Sequence, residues 1–143
     1  MATGLDLVNK IRSGDAAPPS AIITLGLDRT HEWITTCEPG HVVFAWDVDP
    51  AYLNIEGNVF CPWIAALADQ ALFFASNTLC GEGEGTRMAD FHLSMISDIA
   101  QGTARIDAVI RERVGDRMHG TCDVYDGSGA LAGHVVATID VTR

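Results

Sequence analysis

At 143 residues, with 48% of them hydrophobic and 20% charged, the chain suits one domain with its own core and is too apolar for a disordered segment. Nineteen acidic residues against nine basic ones give a net charge of −10, a surface that repels phosphate backbones and argues against nucleic acid as a partner. No apolar run reaches the roughly 18 residues of a membrane span. The start "MATGLDLVNKIRSGD" lacks the pattern of a secretory leader, so a cytoplasmic protein with no membrane partner is expected.

"GLDLVNKIRSG" reads as a short amphipathic helix over about residues 4–13, with Leu5, Val8 and Ile11 at helical spacing and Gly14 as its stop. After the breaker "APPS", the stretch "AIITLGLDRTHEWITTCEPGHVVFAWDV" divides at "EPGH" into two strand-like segments rich in β-branched and aromatic residues. "DPAYLNIEGNV" reads as a loop. Residues 62–77 form the clearest helix, with Pro62 at the first helical position and Cys61, held extended by that proline, as its cap. "CGEGEG" closes the helix. "RMADFHLSMIS", "TARIDAVIRERV", "RMHGTCDVYD" and "ALAGHVVATIDVT" then read as strands separated by "GD" and "DGSG" turns. The expected fold class is α+β, a single domain over residues 1–143, with an antiparallel sheet curled around one apolar helix.

Within that helix, Asp69 is the residue that does not belong. An unpaired carboxylate in an apolar interior costs several kcal/mol or takes a raised pKa. Three readings stay open: a solvated residue at the helix surface, a carboxylate bonded to a neighbouring amide without chemistry, or a functional base held at an internal interface. The third gains from the helix start at Cys61, where unpaired N–H groups and the positive end of the dipole favour a developing oxyanion. Cys61 lies eight residues before Asp69, about 12 Å along the axis.

Other constellations carry less. The thiol of Cys61 lacks a basic partner nearby in sequence, and Cys37, Cys61, Cys80 and Cys122 have neither disulfide nor zinc spacing. "GEGEG" lacks the Lys and Ser/Thr of a phosphate loop. No metal and no cofactor is expected. Ser94 and His92 share one strand face; Ser94 orients water or substrate if that face meets the helix, and both are solvated if it does not. Arg111, Arg113 and Arg117 cluster, either as a site for a small anion or as a solvated face paired with Glu112 and Asp116.

The order Leu25-Gly26, Pro39-Gly40, Asn54 with Gly57, and Ala66-Leu67-Ala68-Asp69 resembles the hotdog-fold acyl-CoA thioesterases of the phenylacetate-degradation and 4-hydroxybenzoyl-CoA type. The resemblance covers nearly the whole chain. It implies a sheet wrapped around the 62–77 helix, a homodimer that often pairs into a homotetramer, and an acyl-CoA substrate with no further cofactor. It places Asp69 as the catalytic carboxylate, nucleophile or general base, and the Cys61 backbone amide as the oxyanion donor. Substrate contacts are then expected from Asn54, Gly57, Phe60, Trp63, Phe73 and Ser94, and CoA phosphate contacts from Arg111, Arg113 and Arg117. The family's His-Gly-Gly before the helix is replaced by Phe60-Cys61-Pro62, and the position of a water-holding hydroxyl one turn after the carboxylate is Phe73. An acyl-thioester binding domain without turnover, and a β-hydroxyacyl-thioester dehydratase, are the alternatives.

Overall fold

The computed structural model describes residues 2–143. Helix α1 spans Gly4–Ser13 and opens on a reciprocal capping box between Thr3 and Asp6. Gly14 ends it in the left-handed region at φ 85°, its N–H bonding the Ile11 carbonyl. The helix buries Val8 and Ile11.

The first part of the segment expected as a strand is instead a helix, α2 (Ser20–Leu25), followed by a 3-10 turn over Leu27–Arg29, and only its end, Ile34–Glu38, is strand. Pro19 starts it and Gly26, at φ 71°, closes it, so the Leu25-Gly26 pair marks a helix end. Helical spacing carries both Ile22 and Leu25 into the core, whereas a strand would put them on opposite faces. Burial and the flanking breakers outweigh the β-branched run.

Strands β1 (Ile34–Glu38) and β2 (His41–Asp47) pair as a hairpin through Pro39-Gly40, with Gly40 at φ 75°. Helix α3 (Cys61–Asn77) follows, starting one residue before the expected boundary. Strands β3 (Gly85–Met95), β4 (Thr103–Val114), β5 (Arg117–Tyr125) and β6 (Leu131–Thr142) complete one antiparallel sheet in the order β1-β2-β4-β5-β6-β3. No helix among the described residues is long and apolar enough to cross a membrane.

The sheet curves around α3, which touches every strand from β2 to β6. Alternate side chains such as Ile106, Cys122, Val135 and Ile139 meet Ile64, Leu67, Ala71, Leu72 and Ala75 of the helix in one core. The approach is close at Gly120, where a Cβ would stand 3.0 Å from Leu72 Cδ2. Trp33, Phe44 and Phe74 interlock beside it, with Phe44 ring centroids 5.1 Å from Trp33 and 5.3 Å from Phe74.

Coverage of α3 is incomplete. Pro62, Ala65, Ala66, Asp69, Gln70 and Phe73 form a stripe along the helix that stays partly or fully exposed. The sheet also ends at β3, 11 residues long with β6 as its single neighbour. The carboxylate lies on this uncovered side.

Candidate active site

At the start of α3 the capping residue is Phe60, which offers no side-chain acceptor. Pro62 has no N–H, and the Trp63 N–H donates to the Phe60 carbonyl at 3.0 Å. The Cys61 N–H, at the first helical position, has no acceptor among the described residues.

From that end a cleft of about 530 Å³ runs along the exposed stripe. Pro62, Ala65 and Ala66 make a floor of small side chains, Ala21, Thr24 and Leu25 of α2 make one wall, and Phe91 of β3 makes another. Asp69 and Gln70 stand at the far end. Two hollows along α1, of about 990 and 690 Å³, are larger. The smaller cleft is the apolar one on α3, and it holds Asp69, the single carboxylate of that helix.

Asp69 is half-buried, and burial pushes its carboxyl above the ordinary aspartate value; a hydrogen bond from Gln70 Nε2, 3.3 Å away, offsets part of that rise. A second cavity, about 90 Å³, lies on its other side, bounded by Phe73, Ser76, Thr86, Met88 and Ile139. Ser76 Oγ donates to the Phe73 carbonyl at 3.0 Å, which leaves the Thr86 hydroxyl to donate to Ser76 Oγ at 3.0 Å. Asn77 Nδ2 donates to Thr86 Oγ1 at 2.9 Å. One lone pair on each hydroxyl oxygen is then free toward the cavity.

The expected residues fall into two groups. Asp69 borders both the cleft and the small cavity and Phe73 borders the cavity, while Cys61 lines neither and precedes Pro62 at the cleft's near end. Phe60 and Trp63 do not line the cleft: Trp63 turns the other way and stacks on Tyr52 at 3.9 Å, with Phe60 5.9 Å from it. Its indole N–H is buried there without an acceptor. Ser94 lies on the outer sheet face opposite His134, while Leu93 packs inward, so Ser94 is on the solvated side of the two alternatives and lines neither cavity. Asn54 shapes the loop before α3, its side-chain oxygen accepting the N–H groups of Glu56 and Asn58, and Gly57 supplies the φ of 81° that this loop needs. Arg113 is tied to Glu84, to the Leu79 carbonyl and to the Gly115 carbonyl. Arg117 is tied to Asp140, and Arg111 donates to Thr121 Oγ1.

Sequence reasoning missed the α2 wall, because that segment read as a strand, and Phe91 and Thr86, which tertiary folding brings in. Ser76 was findable, since it lies seven residues after Asp69, two helical turns along the same face. No histidine borders the cleft or the small cavity; His41, His119 and His134 bond Asp107, Glu112 and Asp123 instead. No group of three or more His, Cys, Asp or Glu is placed to hold a metal among the described residues.

No protein-family profile matches the sequence, and no curated protein does either. Solved structures do match. A phenylacetic acid degradation-related protein from Ralstonia eutropha superposes with a TM-score of 0.82 at 19% identity, over 92% of this chain and 97% of that one. A thioesterase family protein from Silicibacter pomeroyi gives 0.80 at 19% identity, over 93% and 96%. A hypothetical thioesterase protein from Streptococcus pneumoniae, solved with coenzyme A, gives 0.71 at 19%, over 76% and 84%. At such identities the likeness is one of architecture, and the chain has the hotdog fold that these proteins share.

Proposed function

We propose that the chain is a thioesterase that hydrolyses acyl-CoA-type thioesters with hydrophobic or aromatic acyl groups. One observation carries the reading: a half-buried, cation-free carboxylate stands between an apolar cleft that begins at Pro62, the second residue of α3, and a small cavity lined by hydroxyls. The acyl group lies in the cleft. Water occupies the small cavity, whose volume and polar partners suit it. Such a water donates one proton to Thr86 Oγ1 and the other to Asp69, so its lone pair faces the thioester.

Asp69 takes a proton from that water as oxygen adds to the carbonyl carbon. The resulting oxyanion is stabilised by a backbone N–H and the dipole of a helix start. The carbon–sulfur bond then breaks, and the thiolate leaves with the proton that Asp69 held. Burial strengthens the base by destabilising its charged form in the resting state.

Both groups must act on one carbon, yet about 12 Å of helix separates the Cys61 amide from Asp69 within one chain. A homodimer resolves this. The free edge of β3 and the exposed α3 stripe are the surfaces that a second copy covers, with antiparallel pairing along β3. Antiparallel α3 helices bring the amide of Cys61 of the partner subunit beside Asp69.

The test is thiol release from a panel of short, long and aromatic acyl-CoAs. Turnover is expected, best with apolar acyl groups. In Thr86→Val, kcat is expected to fall about tenfold with KM unchanged, because the lost group orients water and does not bind substrate. Tight binding of acyl-CoA without thiol release would favour a binding domain and overturn the hydrolytic reading.

A further inference from the structure

Charge on this molecule is distributed in a way that bears on the thioester's other end. Six of the nine cationic side chains, Arg29, Arg87, Arg105, Arg113, Arg117 and Arg143, already sit on carboxylates at 2.9–3.6 Å. The remaining three are Lys10 and Arg12 on α1 and Arg111 on β4. Arg12 donates to the Thr35 carbonyl on β1, the sheet edge opposite β3. Arg111 is held to Thr121 Oγ1, three strands in from β3, which is about 14 Å at ordinary strand spacing. None of the nine lines the cleft or the cavity beside Asp69. Lys10 lies with Arg12 in a hollow along α1 that shares no residue with the cleft, and a second copy of the chain brings the same inventory and doubles a net charge of −10.

Resting on the thioesterase reading above, we infer that the site recognises the acyl group and the neutral amide arm next to the sulfur, and draws no binding from the nucleotide phosphates of coenzyme A. Its substrate class is the acyl thioester of a neutral, pantetheine-like arm, and coenzyme A is one carrier of that arm. Phosphates brought near a surface with this charge meet repulsion, which salt relieves. A site that clamps phosphates with free arginines has the opposite salt dependence.

The test compares kcat/KM for one acyl group carried on coenzyme A and on pantetheine, at ionic strengths of about 0.01 M and 0.15 M, where the screening length falls from about 30 Å to about 8 Å. The two carriers are expected to agree within about threefold at the higher ionic strength. The coenzyme A value should rise with salt while the pantetheine value stays flat. A preference for coenzyme A of about thirtyfold or more that shrinks as salt is added would overturn the inference and point to a phosphate clamp. Absence of turnover with both carriers refutes the thioesterase reading instead. Calorimetric affinities of non-hydrolysable thioether analogues on the same two arms then decide the inference by the same ratio and salt trend, and failure of both analogues to bind overturns it.

Discussion

Asp69→Asn is expected to lower thioester turnover by about a hundredfold or more while leaving the fold intact. Asparagine keeps the shape of the side chain and its contact with Gln70, but it cannot accept a proton from water. The effect on stability runs the other way. Burial raises the carboxyl pKa, so the native chain holds this proton more tightly than the unfolded chain does. Native stability from this residue is greatest below the unfolded pKa and falls as pH rises through the raised native value. Asparagine carries no charge to desolvate, so the variant's unfolding midpoint at neutral pH should equal or exceed that of the wild type. Thiol release and thermal unfolding on the same preparations check both halves. A variant that unfolds more easily, with activity lost in proportion, would make Asp69 a structural residue.

The largest effect on stability is expected at Phe44. Its side chain is 0% exposed on β2, opposite Ile34 on β1 and Ile106 on β4, with Trp33 and Phe74 packed on its ring. Phe44→Ala opens a cavity that a sheet pinned on both sides closes poorly, and should cost about 3–5 kcal/mol in urea unfolding. Val114, 69% exposed near a strand end, is a control whose alanine variant should stay within about 0.5 kcal/mol. Loss of less than about 1 kcal/mol at Phe44 would mean that the aromatic cluster is not the tight centre of the core.

Much of this architecture is written locally in the sequence. Pro62 ahead of a long apolar run marks α3, Gly14 marks the end of α1, and Pro39-Gly40 marks the β1–β2 hairpin; each works through a backbone restriction that needs no tertiary context. The segment 20–25 was misread because Ile22, Ile23 and Thr24 favour strands, and what decides for a helix is the burial of Ile22 and Leu25 on one face. The face on which Ser94 lies could not be read from alternation. Strand β3 carries an irregularity between Met88 and Asp90, which resets the alternation partway along.

For the site, the anomaly at Asp69 was visible because a charge in an apolar run always needs a physical reason. Its surroundings were not visible. The aromatic residues nearest in sequence, Phe60 and Trp63, turn toward Tyr52, while the cleft is walled by α2 and by Phe91 from β3. The position one turn after the carboxylate, where the resemblance would put a water-holding hydroxyl, is Phe73. The small cavity holds two others, on Ser76 and Thr86, contributed by a second helical turn and a different strand. The arginine cluster showed the reverse: adjacent in sequence, its members are drawn to separate partners.

The most direct measurement is a single turnover in ¹⁸O-labelled water, with enzyme in excess over an acyl thioester. If Asp69 activates water held beside Thr86, the acid released in that first turnover carries the label and the Asp69 carboxylate does not. Unlabelled acid, with ¹⁸O recovered in Asp69, would show that the carboxylate itself attacks the carbonyl and would contradict the water mechanism.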